Sequence, residues 1–225
     1  QFWLSYIDAL IKEKQFDNAK DMLEQAKKYG VFGEKFNTLE SQLGSKTQIV
    51  NSANPSQQQL NRLLKCYQTG RYGDAEKLAV SLTENFPKHQ FAWKVLGIVL
   101  EQTGRISESL FASQKSVQLV PQDAEAHHNL SITLQKLGKL HDAEASCNQT
   151  IALKSDYSEA HYNLGIILKA LGKLEEAEAS YNRAIELKSD YAEAYFNLGS
   201  TLKELGKLEE AEASYTQAIL LKPDD

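Results

Sequence analysis

Three asparagines, Asn129, Asn163 and Asn197, recur at an interval of 34 residues. Asn61 falls on the same count, and Val95 interrupts it. An asparagine amide carries a donor and an acceptor, so it can pair with a peptide's backbone amide on both sides. A ladder of such groups can hold an extended peptide without reading its side chains. One residue earlier in each copy stand His128, Tyr162 and Phe196, an aromatic row suited to the apolar anchors of a ligand. An acidic row, Glu125, Glu159 and Glu193, keeps the interval, and Lys136, Lys169 and Lys203 recur close to it. Those charges also complement a helix dipole, acids near helix starts and lysines near helix ends. The chemistry on offer is the capture of a peptide.

Motifs for bond-making chemistry are missing. The chain has no G-x-S-x-G, phosphate loop, H-E-x-x-H or dinucleotide fingerprint. Its titratable groups are scattered along the repeats. His128, His141 and His89 do not fall at metal-ligand spacing, and His127 and His161 share a column with Trp93 and Tyr195 that reads as packing. No catalytic residue, metal or cofactor is expected.

The binding rows need a frame, and the repeat supplies it. Ser158–Tyr191 and Ala192–Asp225 agree at 23 of 34 positions. Counting back by 34 from Ala192 gives further starts at Ser158, Ala124, Gln90 and Ser56, so residues 56–225 hold five units (56–89, 90–123, 124–157, 158–191, 192–225). In each, an apolar-periodic stretch ends at a glycine (Gly70, Gly104, Gly138, Gly172, Gly206), as helices that close on a left-handed residue do. A second periodic stretch ends near Pro87, Pro121 or Pro223, or at Ser155-Asp156 and Ser189-Asp190, which read as caps of the following helix. Small residues stand where paired helices must touch: Gly97, Ser131, Gly165 and Gly199 in one column, Ala75, Ser109, Ala143, Ala177 and Ala211 in another. Leu96, Leu130, Leu164, Leu198 and Leu100, Leu134, Leu168, Leu202 fill columns between them. A fixed period of this kind predicts an all-α solenoid of helix-turn-helix units, each burying its apolar face on its neighbour. Cys66 and Cys147 occupy inward columns more than two repeats apart, which predicts two buried free thiols in a reducing, cytoplasmic compartment.

Trp93, Leu96, Gly97, Leu100 and Pro121, and again Tyr195, Leu198, Gly199, Leu202, Ala211, Tyr215, Ala218 and Pro223, resemble the skeleton of the tetratricopeptide repeat family. That resemblance covers residues 56–225. It implies a right-handed α-solenoid in which the first helix of each unit lines a concave groove. It therefore implies a peptide-binding groove built from Asn129, Asn163, Asn197, His128, Tyr162, Phe196, Glu125, Glu159, Glu193, Lys169 and Lys203. The asparagine column is similar to the ladder in the repeat superhelix of O-linked N-acetylglucosamine transferases. Chaperone-binding members grip a carboxylate with Lys, Asn and Arg; here Glu159 and Glu193 stand at the Lys position, so a carboxylate clamp is not expected. Two functions follow from the resemblance: a non-catalytic protein- or peptide-binding scaffold, or the substrate-recruiting arm of a larger enzyme of glycosyltransferase, sulfotransferase or methyltransferase type.

Ahead of the five units, Trp3, Tyr6, Leu10, Phe16, Ala19, Leu23 and Ala26 keep the same spacings and predict a similar hairpin. Phe36, Leu39 and Leu43 predict one more helix, so that residues 1–43 form a hairpin plus a helix, and the polar stretch 44–55 reads as a linker. The chain opens mid-pattern at Gln1 and closes at Asp225 where another unit would begin, so it is expected to be a fragment of a longer protein. Apolar faces at either end, the N-terminal hairpin or the last repeat, predict a homo-oligomer. The formal charge of −5 comes without a basic tract, and no apolar run approaches a membrane span, so neither nucleic acid nor membrane is expected as a partner. The acidic runs Glu175, Glu176, Glu178 and Glu209, Glu210, Glu212 read as a solvated outer face.

Overall fold

A computed structural model describes the chain apart from Gln1, Lys14, Ser52, Ala53 and residues 223–225, and without the side chains of residues 2, 16, 17 and 44–51. Among the described residues there are thirteen α-helices and no strand. They fall into two units: residues 1–60 with 84–87, and residues 61–83 with 88–225.

In the first unit, α1 (Phe2–Lys12), α2 (Phe16–Lys28) and α3 (Glu34–Asn51) pack on one another. Their core is Ile7, Leu10, Ile11, Ala19, Leu23, Ala26, Phe36, Leu39 and Leu43, with Trp3, Leu4, Met22 and Val31 against it. Tyr6, read as a packing residue, is 44% exposed, and Ile7 takes the inward position. Phe16, a further aromatic of that pattern, has its side chain outside the described residues. The stretch 44–51, read as linker, continues α3 as helix. Its residues carry no apolar periodicity, the signal that would have marked it as helix in the sequence. At Ser56 a reciprocal cap starts the next helix. Ser56 N–H donates to Gln59 Oε1 (2.9 Å), and Gln59 N–H donates to Ser56 Oγ (3.3 Å).

From α4 (Gln57–Gln68) onward the helices alternate as first and second members of a repeat. They are α5 (Tyr72–Asn85), α6 (Gln90–Gln102), α7 (Ile106–Leu119), α8 (Ala124–Lys136), α9 (Leu140–Leu153), α10 (Ser158–Ala170), α11 (Leu174–Leu187), α12 (Ala192–Glu204) and α13 (Leu208–Leu221). The turn inside each repeat is a left-handed glycine. Gly172 sits at φ 77°, and the next amide, Lys173 N–H, reaches back to Leu168 O at 2.9 Å. The same bond recurs from Arg71, Arg105, Lys139 and Lys207. Between repeats the structure departs from the expected caps. Tyr157 and Tyr191, not the Ser-Asp pairs before them, occupy the cap positions of α10 and α12, and neither supplies a side-chain cap. Among these junctions Asp123 does cap, accepting from Ala126 N–H at 3.2 Å.

Within the second unit α6, α8, α10 and α12 approach one another in succession, and α7, α9 and α11 each pack on the first helix that follows. The second helices do not meet one another in that way. The first-helix side is therefore the narrow, inner side of this stack.

The small-residue column does what its spacing demands. A Cβ placed on Gly165 would lie 2.6 Å from the Tyr181 ring, and one on Gly199 would lie 3.0 Å from the Tyr215 ring. Ser131 can occupy the same column because the residue facing it is Cys147, a far smaller side chain. Both cysteines are buried and free, and burial pushes the Cys147 thiol up to about 11. Its Sγ–H donates to Ala160 O at 3.1 Å, so it behaves as a packing residue. The second-helix acids are not all a solvated face: Glu144 holds Lys173 (2.7 Å), Glu178 holds Lys207 (2.7 Å), and Glu76 holds Arg105, each pair joining one repeat to the next.

Gly165→Ala is expected to lower the urea midpoint, because overpacking against buried Tyr181 costs about 1–3 kcal/mol while the gain in helix propensity is about 1 kcal/mol. Gly199→Ala, facing the half-buried and more movable Tyr215, is expected to leave the midpoint nearly unchanged. Urea unfolding followed by circular dichroism ranks the two; equal midpoints would contradict the close-approach argument.

Candidate functional site

The inner side of α12 carries Glu193, Phe196, Asn197 and Ser200. Spacings of three and four residues put these side chains on one helical face. Tyr162 on α10 and Ala218, Ile219 and Lys222 at the end of α13 close around the same place. With Ala192 they line an open pocket of about 460 Å³. Of the residues expected in the groove, the structure thus brings Tyr162, Glu193, Phe196 and Asn197 together.

The pocket has an apolar floor and a polar rim. Phe196 is 58% exposed, with its ring edge against Tyr215 at a centroid separation of 5.5 Å. Glu193 Oε1 accepts from Lys222 Nζ at 2.7 Å, and that bond holds the Glu193 carboxyl below its ordinary pKa. Asn197 Nδ2 donates to Tyr162 Oη at 2.9 Å. Tyr162 in turn lies between Tyr191 (4.8 Å) and Tyr181 (6.1 Å), and burial raises its phenol. An apolar concavity edged by a few convergent polar groups is the common form of a ligand site.

The remaining expected residues are not equivalent to these four. His128, expected to present an aromatic face, is only 8% exposed, and its ring stacks on Tyr157 at 4.8 Å. Asn129 Nδ2 is buried and has no hydrogen-bond partner among the protein atoms, and the same is true of His128 Nδ1. Asn163 is half-buried. The three ladder asparagines therefore differ: the donor of Asn197 is committed to Tyr162, while that of Asn129 is not satisfied. The charge rows are cross-linked between first helices. Glu125 accepts from Lys94 Nζ (2.6 Å), and Lys169 Nζ reaches Ser200 Oγ (2.6 Å) and Glu204 (2.9 Å). Lys136 pairs with Glu101. Glu159 accepts from Ser158 Oγ (3.0 Å), and Lys203 is exposed. His127 and His161 anchor helix starts, their Nε2 atoms 3.0 and 3.1 Å from the carbonyls of Pro121 and Ser155.

Sequence reasoning missed Ala218, Ile219 and Lys222, which come from a second helix. It also missed Tyr157 and Tyr191 as ring partners of His128 and Tyr162. The aromatic identity of that column in two copies was the available signal. Among the described residues no group of three or more His, Cys, Asp or Glu is placed to hold a metal ion, and no helix is long and apolar enough to cross a membrane.

Comparison with known proteins agrees with this architecture. Family models described as tetratricopeptide repeat match residues 67–124 and 192–225, and one described as TPR repeat matches residues 167–206. A crystal structure of MamA is 22% identical, with a TM-score of 0.66 over 71% of this chain and 93% of that one. MamA from Desulfovibrio magneticus RS-1 is 18% identical, with a TM-score of 0.67 over 73% and 93%. YrrB, described as a TPR protein with an unusual peptide-binding site, is 20% identical, with a TM-score of 0.65 over 80% and 93%. At these identities the likeness establishes the fold. No curated protein matches by sequence.

Burial lowers the pKa of His128, with Glu159 and Glu125 opposing it weakly. A histidine held neutral in the fold charges more readily when unfolded, so stability falls as pH drops below the ordinary value of 6.5. His89, also lowered by burial, adds to the same slope. His128→Phe keeps a ring on Tyr157 and removes the titrating group. Between pH about 6.5 and about 5 it is expected to lose less stability than the native chain. Thermal midpoints across that range check this; parallel curves for the two proteins would contradict it.

Proposed function

The chain belongs to the tetratricopeptide repeat family, and from that premise we propose that it is a non-catalytic scaffold that holds an extended peptide along its first-helix face. The convergence of Tyr162, Glu193, Phe196 and Asn197 on one open pocket carries this reading. The pocket pairs exposed aromatic surface with a carboxylate–ammonium rim, which suits a peptide's mixture of apolar side chains and backbone dipoles. YrrB, a solved relative in fold, is itself described as having a peptide-binding site.

The asparagine column supplies the backbone contacts in this proposal. Asn129 Nδ2 is a buried donor without an acceptor in the protein, a state that costs about 1–3 kcal/mol. A ligand carbonyl drawn into the groove beside α8 provides that acceptor. Asn163 repeats the position one unit on. Asn197, with its donor on Tyr162, keeps the Tyr162 hydroxyl oriented at the pocket edge and offers its own carbonyl oxygen to a ligand N–H.

The test uses peptides selected on the native chain from a random library. Asn129→Ala, Asn163→Ala and Asn197→Ala combined are expected to weaken those peptides about tenfold or more, since each lost amide contact is worth about 0.5–1.5 kcal/mol. Fluorescence polarisation measures the affinities and circular dichroism confirms the fold. Unchanged affinity with native helicity would contradict the ladder.

A further inference from the structure

We propose that the turn between α4 and α5 carries a binding site for a phosphorylated side chain of a peptide partner, formed by Arg62, Lys65, Arg71 and Lys77. The proposal takes from the reading above only that the partner is a peptide. The asparagine groove plays no part in it.

The turn itself brings the charges together. Gly70 takes the left-handed conformation at φ 70°, and Arg71 N–H donates to Cys66 O at 2.9 Å. That bond holds Arg71 against the end of α4. Arg62 and Lys65 lie three residues apart on α4, and Asp74 and Lys77 three apart on α5, so each pair shares a helical face. The four cations and Asp74 line one hollow of about 260 Å³, which buried Cys66 and half-buried Leu78 also line. All five charged residues are exposed. Their formal sum is +3, in a chain whose formal charge is −5.

In the other units the same positions serve packing. They carry leucine where Arg62 stands. Where Lys65 stands they carry Val99, Thr133, Ile167 and Thr201, none more than 1% exposed. Lys77 replaces an alanine of the last three units. Solubility alone is served by side chains of either sign, yet all three replacements are cationic. Like charges that neighbour one another on a helix repel. Among the described residues Arg62, Lys65 and Lys77 form no ion pair, and Arg71 stands 3.9 Å from Asp74, too far for a hydrogen bond. At the position of Arg71 in later units, Lys173 and Lys207 each hold a carboxylate at 2.7 Å. The α4–α5 turn therefore holds more positive charge than its own acids balance. A phosphorylated side chain brings a charge of about −1.5 to −2 and three acceptor oxygens. Two guanidiniums grip such oxygens in pairs, and two ammonium groups add point charge. A carboxylate brings one charge and two oxygens, and leaves most of the cluster unbalanced. The hollow exceeds one phosphate group several-fold in volume, so the residue that carries the phosphate fits with it, its apolar stem on Leu78.

The probe is the synthetic peptide Gly-Ala-Ala-phosphoserine-Ala-Ala-Gly, titrated into isotope-labelled full chain and followed by amide chemical shifts. Shifts are expected at Arg62, Lys65, Arg71 and Lys77. Arg62→Gln combined with Lys77→Gln is expected to weaken binding about tenfold or more, and Asp74→Asn to tighten it about threefold or more. These side chains are exposed, so their replacement leaves the fold intact, and helicity is checked alongside. Absence of shifts at these amides overturns the proposal, as does equal binding of the same peptide with serine or glutamate in place of phosphoserine. Inorganic phosphate that binds as tightly as the peptide would make this a free-anion site. A polyuridine oligonucleotide that shifts the same amides and binds more tightly would make it a nucleic-acid site. Either result also overturns the proposal. The variant with Asn129→Ala, Asn163→Ala and Asn197→Ala is expected to bind the probe as the native chain does. Loss of the probe in that variant, with the Arg62 and Lys77 variant unaffected, would overturn this site and leave the groove standing. Loss of the probe in the Arg62 and Lys77 variant alone, with library peptides indifferent to the asparagines, would sustain this site and overturn the groove.

Discussion

A ring lying on a helix backbone sets the geometry of the later repeats. Tyr181 comes so near Gly165 that even a methyl group there would intrude, and Tyr215 crowds Gly199 in the next unit. Paired helices can approach this closely only if one contributes no side chain at the crossing, as close-packed interiors require. Where the second helix brings a smaller residue, as Cys147 does, the first helix can carry Ser131 instead. The crossing fixes the angle of each hairpin, and the angle fixes which residues of the first helix are left facing the inner side of the stack. The binding surface is in this sense the remainder after packing has taken what it needs.

The junctions between hairpins obey a second rule, in which columns are matched in chemistry. An ion pair at Lys94–Asp123 gives way to tilted ring pairs at His128–Tyr157 and Tyr162–Tyr191. Outer-face pairs such as Glu144–Lys173 and Glu178–Lys207 repeat the pattern with charge. Pairs at a protein surface are worth little individually, about 0–1 kcal/mol when exposed. Their regular placement favours the native register of neighbouring units over shifted ones. Stability in a stack of this kind is a sum of units and nearest-neighbour interfaces, so each matched column acts locally.

The period, the glycine turns and the small-residue columns were legible because packing copies itself. Leu100, Leu134, Leu168 and Leu202 are buried alike. What escaped was set by neighbours in space. Tyr157 and Tyr191, not the expected Ser-Asp pairs, hold the cap positions, and their rings pack on His128 and Tyr162 of the units they close. The helical continuation of α3 through Asn51 escaped because its residues carry no apolar periodicity to mark it as helix. Of the candidate site, the α12 residues Glu193, Phe196 and Asn197 were legible from helical spacing. The share of α13 was not, because Ile219 and Lys222 lie on a helix whose role elsewhere in the stack is structural. His128 and Phe196 share a column yet differ in exposure, and the ring of Tyr157 against His128 is a neighbour that the column alone does not reveal.

On the proposed reading, a partner binds the inner face at α10 and α12 together with the end of α13. Chemical-shift mapping of the full chain with a library-selected peptide tests it most directly. The perturbed amides are expected to gather around Tyr162, Glu193, Phe196, Asn197 and Lys222. Perturbations confined to the outer faces of α7, α9 and α11 would contradict it.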